Sequence, residues 1–263
     1  MNAPNPAQPE VYTWSDLTSY WDCPRAWSYG RLGFRPAQMN DAIVRGSLVH
    51  AGIRAHWLQL PIRDALAAAV QEGQEEQAKR LLPESLDLIN RYIAKYGQDI
   101  VPVAVDRLYL WPYLVPVPAL PVAGGHPDLV GFANGKLVIA EHKTAGNPDL
   151  PFLDHMQQVD WYALLVAEAT QMTPQLVYID VISPDYITRI ERPPKLAQAQ
   201  YVWYRLQELM TVSLKDARAE PHYGYHCRSC WFFKPCQTLD RGLSDRGILD
   251  SLFVVQPERN VTA

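Results

Sequence analysis

The chain has 263 residues, 48% hydrophobic and 20% charged, with a formal net charge of −4 and four cysteines. That length buries one large core, alone or with a small appendage. No apolar run reaches the ~18 residues that a membrane helix needs. Nothing at the start resembles a signal peptide, so the expected location is cytoplasmic and no membrane partner is expected. There is no internal repeat and no nucleotide-binding glycine loop, which excludes an ATPase motor within this chain.

In chain order, residues 1–10 are rich in Pro, Asn and Ala and read as a disordered leader. Helical periodicity follows at about 14–30, 44–58, 61–82 and 84–97. The period then changes to that of strands over Val101–Leu110, Leu129–Ala133, Leu137–His142, Gln175–Ser183 and Tyr186–Glu191. A proline-dense loop is expected over Pro112–Pro121, with helices at 151–172 and 195–217. This order suggests an α/β fold, a mixed central sheet flanked by helices with a site at one sheet end. Negative charge makes phosphate binding less favourable overall. Its distribution is uneven: Glu72, Glu75, Glu76, Glu84 and Asp87 load the middle helices, while Arg25, Arg31, Arg35, Arg45 and Arg54 mark the N-terminal part.

The most informative segment runs from His126-Pro127-Asp128 through the turn pair Asn134-Gly135 to Lys136-Leu-Val-Ile-Ala-Glu141-His142-Lys143. Asn-Gly between apolar runs is a hairpin signal, so Asp128 and Glu141 come from paired strands whose ends meet. Two carboxylates brought together repel unless a cation lies between them, and all-oxygen ligation suits Mg2+ or Mn2+. Lys143 leaves the strand on the same face as Glu141 and can hold a water or phosphate oxygen beside the metal. An acid two before a lysine is cheap, expected roughly 0.7 times by chance for this composition, so the hairpin and the upstream Pro-Asp carry the argument. Together they read as a metal-dependent nuclease site. His142 lies between the pair and projects from the opposite face of the strand, so its side chain is not expected to be a ligand.

Cys23, followed by Pro24, and the C-terminal set Cys227, Cys230 and Cys236 form the second constellation. A chain this long needs no disulfide staples, and a C-x2-C pair with two further cysteines suits a four-thiolate metal site tying the chain ends together. Spacing alone leaves zinc and a four-iron four-sulfur cluster open, although Trp231, Phe232 and Phe233 would shield a cluster from water. His50 has helical spacing after Gly46 and, on its own, is as readily a core or surface histidine as a ligand. Gln158 and Tyr162 sit four apart on one side of a helix, as an ordinary hydrogen-bonding pair also would.

Ser15-x-Leu17-x2-Tyr20-x2-Cys23-Pro24-Arg25, Gly46-x3-His50, Pro127-Asp128, Glu141-x-Lys143, Gln158-x3-Tyr162 and the cysteine triplet occur in consistent order over roughly residues 12–240. The set resembles the RecB-like iron-sulfur branch of the PD-(D/E)xK nucleases, which includes the CRISPR-associated Cas-four exonucleases and AddB-type nuclease domains. The resemblance implies a restriction-endonuclease-like core with a cysteine-ligated cluster subdomain joining the N- and C-terminal segments. It implies His50, Asp128, Glu141 and the backbone carbonyl of His142 as metal ligands and Lys143 as catalytic, with Gln158 and Tyr162 orienting substrate and lysine. The four cysteines would carry a 4Fe-4S cluster. The implied activity is a Mg2+- or Mn2+-dependent DNA exonuclease acting on single-stranded or frayed ends. CRISPR integrase or phage-recombination partners are possible contexts, and a non-catalytic DNA-binding scaffold is the rival of another class. Expected divisions are a leader at 1–10, a helical part at 11–100 with the first cluster cysteine, a nuclease core at 101–218, a cluster segment at 219–240 and a tail at 241–263.

Overall fold

The computed structural model describes residues 10–71, 73–111, 121–144 and 152–255, with side chains from 157 onward in the last segment's first helix. The expected leader (except Glu10) and the proline-dense loop (except Pro121) lie outside the described residues. In chain order the elements are β1 (Val11–Tyr12), α1 (Trp14–Asp22), α2 (Pro24–Arg31), β2 (Phe34–Pro36), α3 (Asp41–Trp57), α4 (Ile62–Ala69) and α5 (Glu75–Tyr96). There follow β3 (Val101–Val105), β4 (Tyr109–Trp111), β5 (Val122–Gly125), β6 (Leu129–Ala133), β7 (Lys136–Thr144) and α6 (Phe152–Thr170). The chain continues through β8 (Leu176–Ile182), β9 (Ile187–Arg192), α7 (Leu196–Leu209), α8 (Leu214–Ala219), α9 (Phe233–Asp240), α10 (Arg246–Leu252) and β10 (Phe253–Val255). A single 3-10 turn, Tyr225–Arg228, precedes α9.

The described residues divide into two compact units, one comprising 39–111, 124–144 and 152–203, the other 10–38, 121–123 and 204–255. The first unit is built on a five-stranded mixed sheet of order β3-β6-β7-β8-β9. β6 and β7 form the expected hairpin, closed by Asn134 at φ 50° and Gly135 at φ 76°, the two left-handed residues that a type I′ turn requires. β7 and β8 are parallel, so the chain must cross over between them, and α6 makes that crossover. Alternation along β7 sends Val138, Ala140 and His142 to one face and Ile139, Glu141 and Lys143 to the other. The first face is covered by the core of α3 and α5, including Leu48, Ile53, Leu88, Ile89 and Tyr92. α6 packs along β7 and β8, and its buried Asp160 is fixed by a bidentate ion pair with Arg192 and by the amide of Lys195.

Four sequence expectations need correction. The helix expected over 195–217 ends at Leu209 and restarts as α8 after Ser213, whose extended backbone and side chain cap the new helix. The helix break expected at Pro83 is absent, because α5 runs through Pro83 and buries Ala78, Leu81, Leu88, Ile89 and Tyr92 on one face. That packed face outweighs the one hydrogen bond proline removes. The break comes earlier, where Val70 turns extended and Gly73 takes φ +81°. The helix expected over 14–30 is split at Cys23, whose extended backbone ends α1 and starts α2 with Pro24 in the first turn. The strand expected over 101–110 is interrupted by Asp106 at φ 48°.

In the second unit, the N- and C-terminal segments fold together. Antiparallel pairing of β10 with β2 joins Phe253 to Pro36 and Val255 to Phe34. Tyr29, Phe232 and Phe253 stack in sequence, with ring centroids 5.0 and 4.9 Å apart. Arg25 donates to the Arg218 carbonyl at 2.8 Å and pairs with Asp240 at 2.7 Å, while Arg218 and Tyr29 both hydrogen-bond Asp245. These short elements escaped the sequence reading because each is too brief to show a period.

Candidate active site and cysteine pocket

The hairpin sets Leu129 opposite Ala140, so Asp128 and Glu141 are the next residues along their two strands and emerge together at the sheet end. Glu141 is 4% exposed and Gln158 7%. Lys143 donates to Glu141 Oε1 at 2.6 Å and to Gln158 Oε1 at 3.0 Å. Because a lysine only donates, Gln158 must turn its oxygen to Lys143 and its amide to Tyr162, whose hydroxyl accepts at 2.7 Å. A single chain, Tyr162 to Gln158 to Lys143 to Glu141, therefore ties α6 to β7.

On the other side, Asp128 Oδ2 accepts the His142 backbone amide at 2.6 Å and lies 3.2 Å from His142 Nδ1. Asp128 Oδ1 lies 3.5 Å from His50 Nδ1 on α3. Gly46, one turn before His50, is explained by the approach of α3 to β7: a Cβ there would meet the Thr144 hydroxyl at 2.9 Å. Gly125 plays the same part beside α6, where a Cβ would lie 2.5 Å from the Tyr162 ring. The six named side chains His50, Asp128, Glu141, Lys143, Gln158 and Tyr162 are thus brought together from α3, α6, β7 and the residue before β6, all in one unit, and the His142 side chain points to the α3 and α5 face as alternation requires.

The carboxylates titrate apart. Burial, followed by the neighbouring Asp128 charge, pushes Glu141 up to about 7 despite Lys143. Burial also works against charge on Asp128, but His50 and the hydrogen bond from His142 more than offset it and hold that carboxyl well below the usual range. His50 is raised, its desolvation outweighed by Asp128. Glu141 Oε2 is buried without a hydrogen-bond partner, which is costly unless a cation or water meets it. Two carboxylates at one sheet end, one with this orphan oxygen, match what an oxygen-ligated divalent cation needs. Among the described residues, no group of three or more His, Cys, Asp or Glu is closed up around a metal position as it stands.

Sequence reading missed several residues around this centre. Asp106 donates its amide to the Asp128 carbonyl at 3.0 Å, and its carboxylate lies 3.0 Å from Arg54 and 3.8 Å from His126. Tyr92, Asp180 and Arg189 form a buried polar group behind His142. The one available signal was Asp180 inside the apolar run Leu176–Ile182, where an unpaired carboxylate would be forbidding.

The four cysteines are all in the second unit, and none is in a disulfide. Cys23, Cys227, Cys230 and Cys236 line one pocket together with Arg25, Tyr29, His222 and Phe233. Arg25 Nη1 donates to Cys236 Sγ at 3.2 Å, and the Gly224 amide donates to Cys227 Sγ at 3.5 Å. Burial pushes Cys230 and Cys236 up, and for Cys236 it outweighs the Arg25 donor, which favours the thiolate. His226 lines the same pocket, and its Nε2 lies 2.8 Å from the His222 carbonyl. No helix among the described residues is long and apolar enough to cross a membrane.

No curated protein matches the chain in sequence. Among solved structures, a candidate exonuclease from Eubacterium rectale is similar, with 13% identity, a TM-score of 0.54, and 84% of this chain and 87% of that one covered. SSO0001 is also similar, at 18% identity and a TM-score of 0.44, with 86% of this chain and 85% of that one covered. The first likeness, at so low an identity, supports the shared fold alone. Residues 12–237 match the family profile described as the PD-(D/E)XK nuclease superfamily, whose members typically use Mg2+ or Mn2+. With most of its length matched and the paired carboxylates and lysine gathered at one sheet end, the chain belongs to the PD-(D/E)XK nuclease superfamily.

Proposed function

We propose that the chain is a divalent-metal-dependent DNA exonuclease of the RecB-like iron-sulfur branch, acting on single-stranded or frayed ends. The observation that carries this reading is the convergence of Asp128 and Glu141 with an orphaned, buried Glu141 Oε2 beside a lysine that is already oriented. His50, Asp128, Glu141 and the backbone carbonyl of His142 would hold Mg2+ or Mn2+. When bound, that ion would lower the pKa of a water and neutralise charge on the phosphate under attack. Lys143, fixed between Glu141 and Gln158, supplies positive charge beside the reacting oxygen. Tyr162 holds the Gln158 amide, and so keeps the lysine from swinging out.

The same reading assigns a 4Fe-4S cluster to Cys23, Cys227, Cys230 and Cys236. Four thiols on one pocket, donors to two of the sulfurs and aromatic walls at Tyr29 and Phe233 support it. Hydrolysis needs no change of iron oxidation state, so the group's role would be to hold chain ends together.

Incubation with end-labelled single- and double-stranded DNA, with and without Mn2+, tests the activity. Metal-dependent release of short products from an end is expected. Binding without cleavage under every metal condition would make the chain a scaffold.

A further inference from the structure

His142 is 2% exposed on the α3 and α5 face of the sheet, where a histidine is costly unless both ring nitrogens are met. Both are. Nδ1 lies 3.2 Å from Asp128 Oδ2, and Nε2 lies 2.9 Å from the Tyr92 hydroxyl on α5. Tyr92 in turn donates to Asp180 Oδ2 at 2.9 Å, so its oxygen is left to accept from Nε2. Asp180 is fully buried and stands directly across the β7–β8 pair from His142. Arg189, directly across the β8–β9 pair, clamps Asp180 by donating from Nε and Nη2 at 2.6 and 2.8 Å, while its Nη1 donates to Asp99 at 3.1 Å. The Arg189 guanidinium is stacked between the Tyr96 and Tyr178 rings, 4.1 and 4.4 Å from their centroids.

Such a chain is a poor device for stability, because well-packed apolar residues of similar volume commonly do as well or better than a buried ion pair. Its geometry has another consequence. The His142 ring and amide both converge on Asp128 Oδ2, and this fixes the carboxylate with Oδ1 turned toward His50. Outer partners that orient a carboxylate or histidine set metal affinity by roughly 10–100-fold.

We infer that Tyr92, His142, Asp180 and Arg189 are positioning residues that aim Asp128 Oδ1 at the metal. The inference rests on the reading of Asp128 as a ligand. It does not make Tyr92 or Asp180 a catalytic residue, since neither touches substrate.

The test is Mn2+ affinity measured by calorimetry on the purified chain, with Asp128→Ala as control and thermal melting alongside. Tyr92→Phe keeps shape and removes both hydrogen bonds of the hydroxyl, to His142 and to Asp180, while Asp180→Asn keeps shape and removes the carboxylate charge. Both should melt cooperatively and bind Mn2+ at least about tenfold more weakly, with KM for DNA unchanged at saturating metal. Wild-type Mn2+ affinity in both folded variants, with binding lost in Asp128→Ala, would overturn the relay and leave the metal site standing. Wild-type affinity in Asp128→Ala itself would remove the ligand reading and the relay with it.

Discussion

The carboxylate centre of the first unit and the cysteine pocket of the second are built by opposite means. Asp128, Glu141 and Lys143 lie within sixteen consecutive residues on a hairpin, where Glu141 pairs with Lys143 and Asp128 meets the rings of His50 and His142. The sheet beneath them is covered by a large apolar core. The cysteine pocket gathers Cys23 and the 227–236 segment across some 200 positions, on a 3-10 turn and the short α9. Its own apolar cluster of Tyr29, Phe232, Leu249 and Phe253 is small. On the proposed reading, the first site should tolerate loss of a divalent ion with little change in fold, whereas the second should depend on a thiolate-bound group for order.

The largest expected effect breaks the first region's chemistry and spares its fold. Asp128→Ala or Glu141→Ala should abolish cleavage in both Mg2+ and Mn2+ while Tm moves by only a few degrees, as measured by gel assay and calorimetric melting. A cleaving variant would take that residue out of the metal shell.

Cys23→Ser should do the reverse. It should cost about 2 kcal/mol or more of stability, a Tm fall of roughly 4–8 °C at this size, and should lower activity as a consequence. Protein prepared without oxygen should be brown and carry about four irons, whereas a colourless, zinc-loaded preparation would replace the cluster with a single-ion site.

Lys143→Ala is expected to reduce turnover at least about tenfold, or ~1.4 kcal/mol, with DNA affinity little changed. Parallel loss of binding and rate would make the lysine a phosphate contact only.

The smallest effect is in pH. A metal competes with the proton on Glu141, whose carboxyl stands near about 7 in the ion-free protein. Apparent Mn2+ affinity should then rise about tenfold between pH 6 and pH 8, because the proton is lost over that window. A flat profile would put Glu141 outside the binding step.

How much of this was legible in the sequence follows from where each signal is stored. The hairpin was readable because Asn134-Gly135 needs left-handed backbone and sits between alternating runs. The Gln158 and Tyr162 pair was readable because helical spacing keeps them on one side. Asp106 and Tyr92 were not, since a positive φ at Asp106 and a hydroxyl reaching across to β7 are properties of the assembled layers. The N-terminal arginines illustrate the same limit. They suggest a basic stripe, but Arg25, Arg31, Arg45 and Arg54 each face an acid within the chain.

A manganese anomalous-scattering map from a crystal grown with Mn2+ would test the central claim most directly. The account predicts an ion in contact with Asp128 Oδ1 and with Glu141 Oε2, the oxygen now buried without a partner. Full manganese density elsewhere, with Glu141 Oε2 still unligated, would contradict it.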